Sequence, residues 1–155
     1  MGLSDNMAIA ELPAEKVPYD LLLLADESRE AVDDYLWRGK CYGALYGAVV
    51  VGEYVLIRTR PFTAEIVNFA VAPDWQGRGV GTRLLGHAVE TARRAGFRKL
   101  EIGTADTSVR QLALYERFGF RREWVDKNFF LLHYNEPVYE NGELCRDMVR
   151  LGMLL

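Results

Sequence analysis

Cysteine, long apolar runs and a dominant charge sign are all in short supply in this chain, and each shortage removes a class of function. Two cysteines occur in 155 residues, Cys41 and Cys145, and their separation fits neither a metal-ligand pair nor a redox motif. With no secretory signal ahead of them, both read as reduced core thiols of a cytoplasmic protein, and no metal is expected. The tetraleucine Leu21 to Leu24 falls far short of the roughly 20 apolar residues a membrane-spanning helix needs, and acidic residues follow it. A formal net charge of −3 gives no broad basic surface for nucleic acid. The local cluster Arg93, Arg94, Arg98 and Lys99 reads as a solvated helix end whose cations suit the helix dipole. Internal repeats, low-complexity segments and linkers are missing too, so nothing divides the chain.

What is present is half hydrophobic sequence, enough for a single domain over residues 1–155 whose core needs no covalent staples. Met7 to Leu12 reads as a first strand, and Pro18 opens a helix expected to run to about Gly39 with an acidic exposed face. Cys41–Tyr46 and Ala48–Arg60 read as strands meeting near Gly47, the second with a turn or kink at Gly52-Glu53 before Pro61 breaks it. Glu65–Val71 is too continuously apolar for a surface strand and belongs at the centre of a sheet. Arg98–Gly103 is a further strand, and Asp106, Thr107 or Ser108 can cap a helix ending near Gly119. Phe120–Trp124 and Phe129–His133 are short strand candidates. Asn141-Gly142 signals a tight turn before an alternating last strand Leu144–Leu154, so the tail is expected to close as a long hairpin.

The run Val67 to Gly81, VNFAVAPDWQGRGVG, feeds an apolar strand through a short turn into three alternating glycines that open a helix. Glycines 77, 79 and 81 permit positive φ and a close approach of a ligand to the backbone, so successive N–H groups can converge on an anion. Val80, Leu84, Ala88 and Ala92 recur at i, i+4, Leu85 and Val89 widen the stripe, and Gly96 ends it. A dinucleotide fingerprint starting at Gly77 would need glycine where Thr82 stands, and a P-loop would need its lysine. Neither is met.

Gln76-Gly77-Arg78-Gly79-Val80-Gly81 resembles instead the Q/R-x-x-G-x-G/A pyrophosphate loop of the GNAT superfamily of N-acetyltransferases. Ala64-Glu65-Ile66-Val67-Asn68-Phe69-Ala70-Val71 looks like its central strand, and Leu112 to Phe120 like its A-L-Y-x-x-x-G-F ending. The match runs from about Ala64 to Phe120, and the ending FFLLHYNEPVYENGELCRDMVRL looks like small bacterial members. The resemblance implies an α/β fold, a GNAT-like mixed central sheet with splayed parallel strands flanked by helices, in the order β-α-β-β-β-α-β-α-β-β. It implies acetyl-CoA as cosubstrate and direct attack by a primary amine in a ternary complex, a small-molecule amine being favoured over a peptide or protein N-terminus. A noncatalytic acyl-CoA-binding or sensing module is the alternative. Neither nucleic acid nor membrane is an expected partner, and the chain is expected to be a monomer or homodimer.

By the same resemblance Glu65 is the candidate general base and Tyr115 the candidate general acid at the CoA sulfur. The backbone of Phe69, Ala70 and Val71 should pair with pantetheine and stabilise the oxyanion. Gln76 and the N–H groups of Gly77, Arg78, Gly79, Val80, Gly81 and Thr82 should hold the pyrophosphate. Ser108 replaces an asparagine common in the family, so it and Gln111 are lesser candidates for CoA contact. His87 reads as a residue of the solvated helix face, and His133 as structural or bordering the acceptor pocket. The acidic residues Asp20, Asp26, Glu27, Glu30, Asp33 and Asp34 are read as either a solvated helix face or an attractor for cationic amines.

Overall fold

Stretches of period two and period 3.6 alternate along the chain and resolve into a sheet with helices on both faces; a computed structural model describes residues 6–155. In chain order the elements are β1 (Met7–Glu11), α1 (Tyr19–Ala25), α2 (Arg29–Arg38), β2 (Lys40–Tyr46), β3 (Val49–Arg60), β4 (Thr63–Val71) and α3 (Val80–Arg94). After these come β5 (Lys99–Ala105), α4 (Val109–Phe118), β6 (Arg121–Asp126), α5 (Phe129–His133), β7 (Tyr139–Glu140), β8 (Glu143–Leu144) and β9 (Met148–Leu154). The sheet order is β1-β2-β3-β4-β5-β9-β6, with β4 and β5 parallel and every other pair antiparallel. The central position expected of the Glu65–Val71 strand is the one β4 occupies.

The stripe on α3 does what its spacing requires: Val80, Leu84, Leu85, Ala88, Val89 and Ala92 are all buried against the sheet, joined by Leu112 and Tyr115 of α4. Each fully buried Val or Leu contributes roughly 1.5–3 kcal/mol. On the other face α1 and α2 bury Leu22, Val32 and Tyr35 over Cys41, Val55 and Ile57. A third cluster of Ala105, Phe130 and Cys145 sits under α5 and the tail.

One irregularity in β4 shapes the centre of the molecule. Val55 lies opposite Asn68 while Leu56 lies opposite Ile66, so Val67 is an extra residue, a β-bulge. Ala64 and Ile66 face the α3 layer, and strict alternation would send Asn68 there too. The bulge turns Asn68 to the other face, where its Nδ2 donates to the Leu22 carbonyl at 3.0 Å and to the Tyr35 hydroxyl oxygen at 2.8 Å. A bulge also bends its strand and increases local twist. β4 and β5 accordingly pair from Thr63↔Lys99 to Ile66↔Ile102 and then part, although β4 continues to Val71 and β5 to Ala105.

Several elements differ from the sequence reading. The helix expected over Pro18–Gly39 is two helices, because Asp26 and Ser28 compete with the helical ladder: Asp26 Oδ1 accepts from the Ser28 N–H, and Ser28 Oγ caps α2 from Ala31 N–H at 3.2 Å. Phe129–His133 is a helical turn rather than a strand, entered through Asn128 at φ +60°. Asn141-Gly142 makes the expected tight turn, but it joins two-residue strands, and the tail does not close as a long hairpin. Instead β9 inserts between β5 and β6, pairing with both. His87 is not a free surface residue: its Nδ1 lies 2.7 Å from the hydroxyl of the fully buried Tyr54.

Gly52-Glu53 is no turn either; both lie mid-strand, and Glu53 is wholly buried with neither carboxylate oxygen hydrogen-bonded among the described residues. Burial pushes its carboxyl well above the usual carboxylate range. The unfolded chain ionises Glu53 at ordinary acidic pH while the folded chain keeps it protonated. Folding stability is therefore fully present below the unfolded value and declines as pH rises toward the folded one. Glu53→Leu is expected to stabilise the fold by about 1–3 kcal/mol, with a larger rise in Tm at pH 8 than at pH 4. Thermal melts at the two pH values check this, and an equal or inverted difference would contradict it.

Candidate active site

Where β4 ends, the glycine loop begins. The Gln76 side-chain amide donates to the Val71 carbonyl at 3.1 Å and ties loop to strand. Gly77 and Gly79 adopt φ of +74° and +84°, conformations that cost a residue with a Cβ. A Cβ at either position would meet nothing of the protein within 4 Å. Gly79 is also the N-cap of α3 and supplies no side-chain cap. The first N–H groups of the helix thus face the loop, with the positive end of the dipole behind them.

A groove of about 890 Å³ runs from this loop along the free edge of β4. Gln76, Gly77, Gly79, Gly81 and Thr82 line one side, with Phe69, Ala70 and Val71 of β4, and Gln111 lines the α4 side. Three candidates fall outside the lining: Arg78 stands over the Trp75 ring at 5.1 Å, the Val80 side chain is buried in the core, and Ser108 lines a neighbouring cavity instead. Arg110 and Arg117 of α4 line the groove and were not anticipated, because helical spacing alone does not say which cations face a ligand.

Behind the parting of β4 and β5 lies a second cavity, of about 270 Å³. Its walls include Ile66 to Phe69 of β4, Ile102 to Ala105 of β5, Asp26 and Glu27 from the α1–α2 turn, and Tyr134 and Glu140 from the tail. One hydrogen-bonded chain fixes these walls. Asn68 donates to Tyr35, whose hydroxyl donates to Asp26 Oδ2 at 3.0 Å, and the Tyr134 hydroxyl donates to Asp26 Oδ1 at 2.9 Å. Burial first, and the Asp26 charge second, push both tyrosines above their ordinary range, so they remain donors.

Tyr115 lines this cavity, is buried, and stands edge-on to Phe69 with ring centroids 5.9 Å apart. Burial above all holds its hydroxyl well above the ordinary tyrosine range. Gln111 lines both spaces, while Ser108 lines the cavity and donates to Glu140 Oε2, a role neither capping nor CoA contact had suggested. Glu65 is not brought into either lining; its carboxylate is paired with Arg150 at 2.9 Å, and Arg150 also reaches Asp126 at 3.6 Å. Burial raises the Glu65 carboxyl despite the opposing pull of Arg150. His133 is exposed and packs on Phe129 at 4.8 Å. Among the described residues no helix is long and apolar enough to cross a membrane, and no group of His, Cys, Asp or Glu is arranged to hold a metal ion.

The family model described as Acetyltransferase (GNAT) family matches residues 8–120. A curated relative, the uncharacterized N-acetyltransferase YvbK of Bacillus subtilis, is 53% identical over 133 residues, 86% of each chain. An IAA acetyltransferase from Bacillus cereus is similar in structure, with a TM-score of 0.92 and 51% identity, covering 96% of this chain and 99% of that one. A GNAT family acetyltransferase from Elizabethkingia anophelis with acetyl-CoA bound gives 0.94 and 45%, covering 97% and 99%. The open glycine loop, the uncapped helix and the groove arginines fit a pyrophosphate-bearing donor of this kind.

Gly79→Val tests the loop. A β-branched side chain is strained at φ +84° and would project into the space beside the N–H groups, so CoA affinity should fall about tenfold or more. Titration calorimetry with CoA, on protein whose Tm shows it folded, measures the effect. Unchanged affinity would put the anion elsewhere.

Proposed function

The chain belongs to the GNAT family of acetyl-CoA-dependent N-acetyltransferases, and within that family we propose that its acceptor is a small, cationic primary amine, acetylated by direct attack in a ternary complex. The observation that carries this reading is the meeting of two spaces, a donor groove and a compact cavity bordered by Asp26, Glu27 and Glu140. A cavity of about 270 Å³ suits a small molecule better than a peptide, which needs an open channel for its following residues. Carboxylates at its walls favour an ammonium over a neutral or acidic amine.

Of the acidic residues in this part of the chain, Asp26 and Glu27 border the cavity. Asp33 is occupied by Tyr19 and Arg29, and Asp34 by Arg38, on the exposed side of α2. Asp33→Asn and Asp34→Asn should therefore leave kcat/KM for cationic amines within about twofold, since exposed pairs contribute little.

Acetyl-CoA, when bound, supplies the activated acetyl thioester. Gln76, Gly77, Gly79, Gly81, Thr82 and the N-terminus of α3 would hold its pyrophosphate, and the backbone of Phe69 to Val71 would receive the arm and stabilise negative charge on the acetyl oxygen. Tyr115, held protonated across the working pH range, is the proton donor to the departing sulfur. Glu65 fixes Arg150 of β9 rather than taking a proton directly. Neither thiol serves as an acyl carrier: burial raises Cys41 to about 12 and also pushes Cys145 up, so both stay as poorly nucleophilic thiols.

Tyr115→Phe is expected to lower kcat by about 10²-fold or more while CoA affinity holds. Glu65→Gln should lower Tm and cost less than about tenfold in kcat, an effect on position rather than on proton transfer. Cys41→Ser and Cys145→Ser should remain active. Steady-state kinetics on amine panels check all of these, and parallel-line kinetics with acetylated cysteine would contradict direct attack.

A further inference from the structure

Among the described residues, five line both the donor groove and the acceptor cavity: Leu24, Ala25, Phe69, Gln111 and Glu140. Glu140 is the ionisable one. It precedes the Asn141-Gly142 turn of the β7–β8 ribbon, which Cys145 N–H secures to the Val138 carbonyl at 2.8 Å. Its Oε2 accepts from the hydroxyls of Ser108 and Thr107, both immediately ahead of α4. No donor among the described residues reaches its Oε1.

The other carboxylates near the cavity differ. Asp26 is spent on both oxygens, accepting from Ser28 N–H, Tyr134 and Tyr35. Glu27 is exposed. Glu65 lies outside both linings, against Arg150. We propose that Glu140 is the catalytic base of the acetyl transfer: its Oε1 receives the acceptor's ammonium at the junction of groove and cavity and takes its proton. This assignment rests on the amine-acetyltransferase reading above.

The charges around Glu140 suit that task. Arg110 and Arg117 line the groove side from α4, where they would attend a donor's phosphates, and Tyr115 lines the cavity from the same helix. On the cavity side stand Asp26 and Glu27 from the α1–α2 turn and Tyr134 and Tyr139 of the tail. Across its own ribbon lie Glu143 and the Cys145 thiol. The surroundings are thus cationic where the phosphates go and anionic where the ammonium goes.

In the step, an ammonium N–H bond breaks with its electron pair left on nitrogen, and the proton goes to Glu140 Oε1. The nitrogen lone pair forms the bond to the acetyl carbon, the C–S bond breaks, and the sulfur takes a proton from the Tyr115 hydroxyl. Tyr115 recovers the second nitrogen proton, and Glu140 releases the first to solvent. The sum is R–NH₃⁺ plus acetyl-CoA giving R–NH–acetyl, CoA thiol and H⁺. Thr107 and Ser108 hold the base in place without occupying the reacting oxygen.

The test compares wild type with Glu140→Gln, which keeps an acceptor for Ser108 and Thr107, and with Glu140→Asp. The probes are strongly basic primary alkylamines such as 1,4-diaminobutane, and aminoacetonitrile, whose amine is already neutral at pH 7. With the alkylamines, Glu140→Gln should lose about 10²-fold or more in kcat/KM at pH 7. The deficit should narrow as pH rises toward the amine's own value near ~10.4, and should be under about tenfold with aminoacetonitrile. Glu140→Asp should recover part of the loss. By calorimetry the Glu140→Gln protein should bind CoA like wild type, while its CoA complex binds the alkylammonium more weakly. Wild-type rates and pH profile in a folded Glu140→Gln protein would overturn the assignment. An equal loss with both kinds of amine at every pH would overturn it too, since that pattern belongs to a structural role. A wild-type protein that binds CoA but releases no thiol with any amine would sink the transferase reading itself, and this base with it.

Discussion

The bulge at Val67 is the constraint on which the rest depends. A continuous β4–β5 ladder would satisfy every backbone group along both strands and leave no way through the sheet. By inserting one residue, β4 loses its register with β3 for a step, bends, and stops pairing with β5 after Ile66. The free edge that results is the floor of the groove beside the glycine loop, and the gap behind it is the compact cavity proposed for the acceptor. The same residue count decides the faces. Phe69 turns toward Tyr115 in the α3–α4 layer, and Asn68 turns toward α1 and Tyr35.

Asn68 then organises the opposite wall. Its bonds to the end of α1 and to Tyr35 start a chain that runs through Asp26 to Tyr134 in the tail, joining segments 108 residues apart. Buried polar groups are costly unless paired, so the chain favours one arrangement of the α1–α2 turn and the tail, the arrangement that encloses the cavity. Glu53 goes unpaired on both carboxylate oxygens among the described residues, a neutral acid beside the core, and its cost falls on stability.

Much of this was legible in the sequence because local rules carried it. The α3 stripe, the glycine loop, the turn at Asn141-Gly142 and the central place of β4 follow from periodicity and backbone freedom within a few residues, and the structure has each of them. The loop-to-helix motif pointed to the donor groove for the same reason: the N–H groups that form it are neighbours in the chain. Phe129–His133 misled because five apolar and aromatic residues suit a strand or a helical turn equally, and Asn128 in the left-handed region decides between them. The acidic residues from Asp20 to Asp34 read as the face of one helix, yet Asp26 and Ser28 break that stretch into two helices and leave Asp26 and Glu27 at the cavity.

By itself, then, the sequence determined the proposed donor side of this protein: a strand, a glycine turn and a helix N-terminus are contiguous, and their geometry is set by φ, by spacing and by the helix dipole. Tertiary structure decided the proposed acceptor side. Glu140, Asp26, Asn68 and Tyr115 come from four separate elements and meet because β9 inserts between β5 and β6 and brings the β7–β8 ribbon back over the gap. Likewise, Glu65 stands on the strand its motif implied, but Arg150 of β9, 85 residues away, claims its carboxylate. A residue's type and its local pattern say what chemistry it can perform. Which partner reaches it first is settled by strand order and register, which no short stretch of chain encodes.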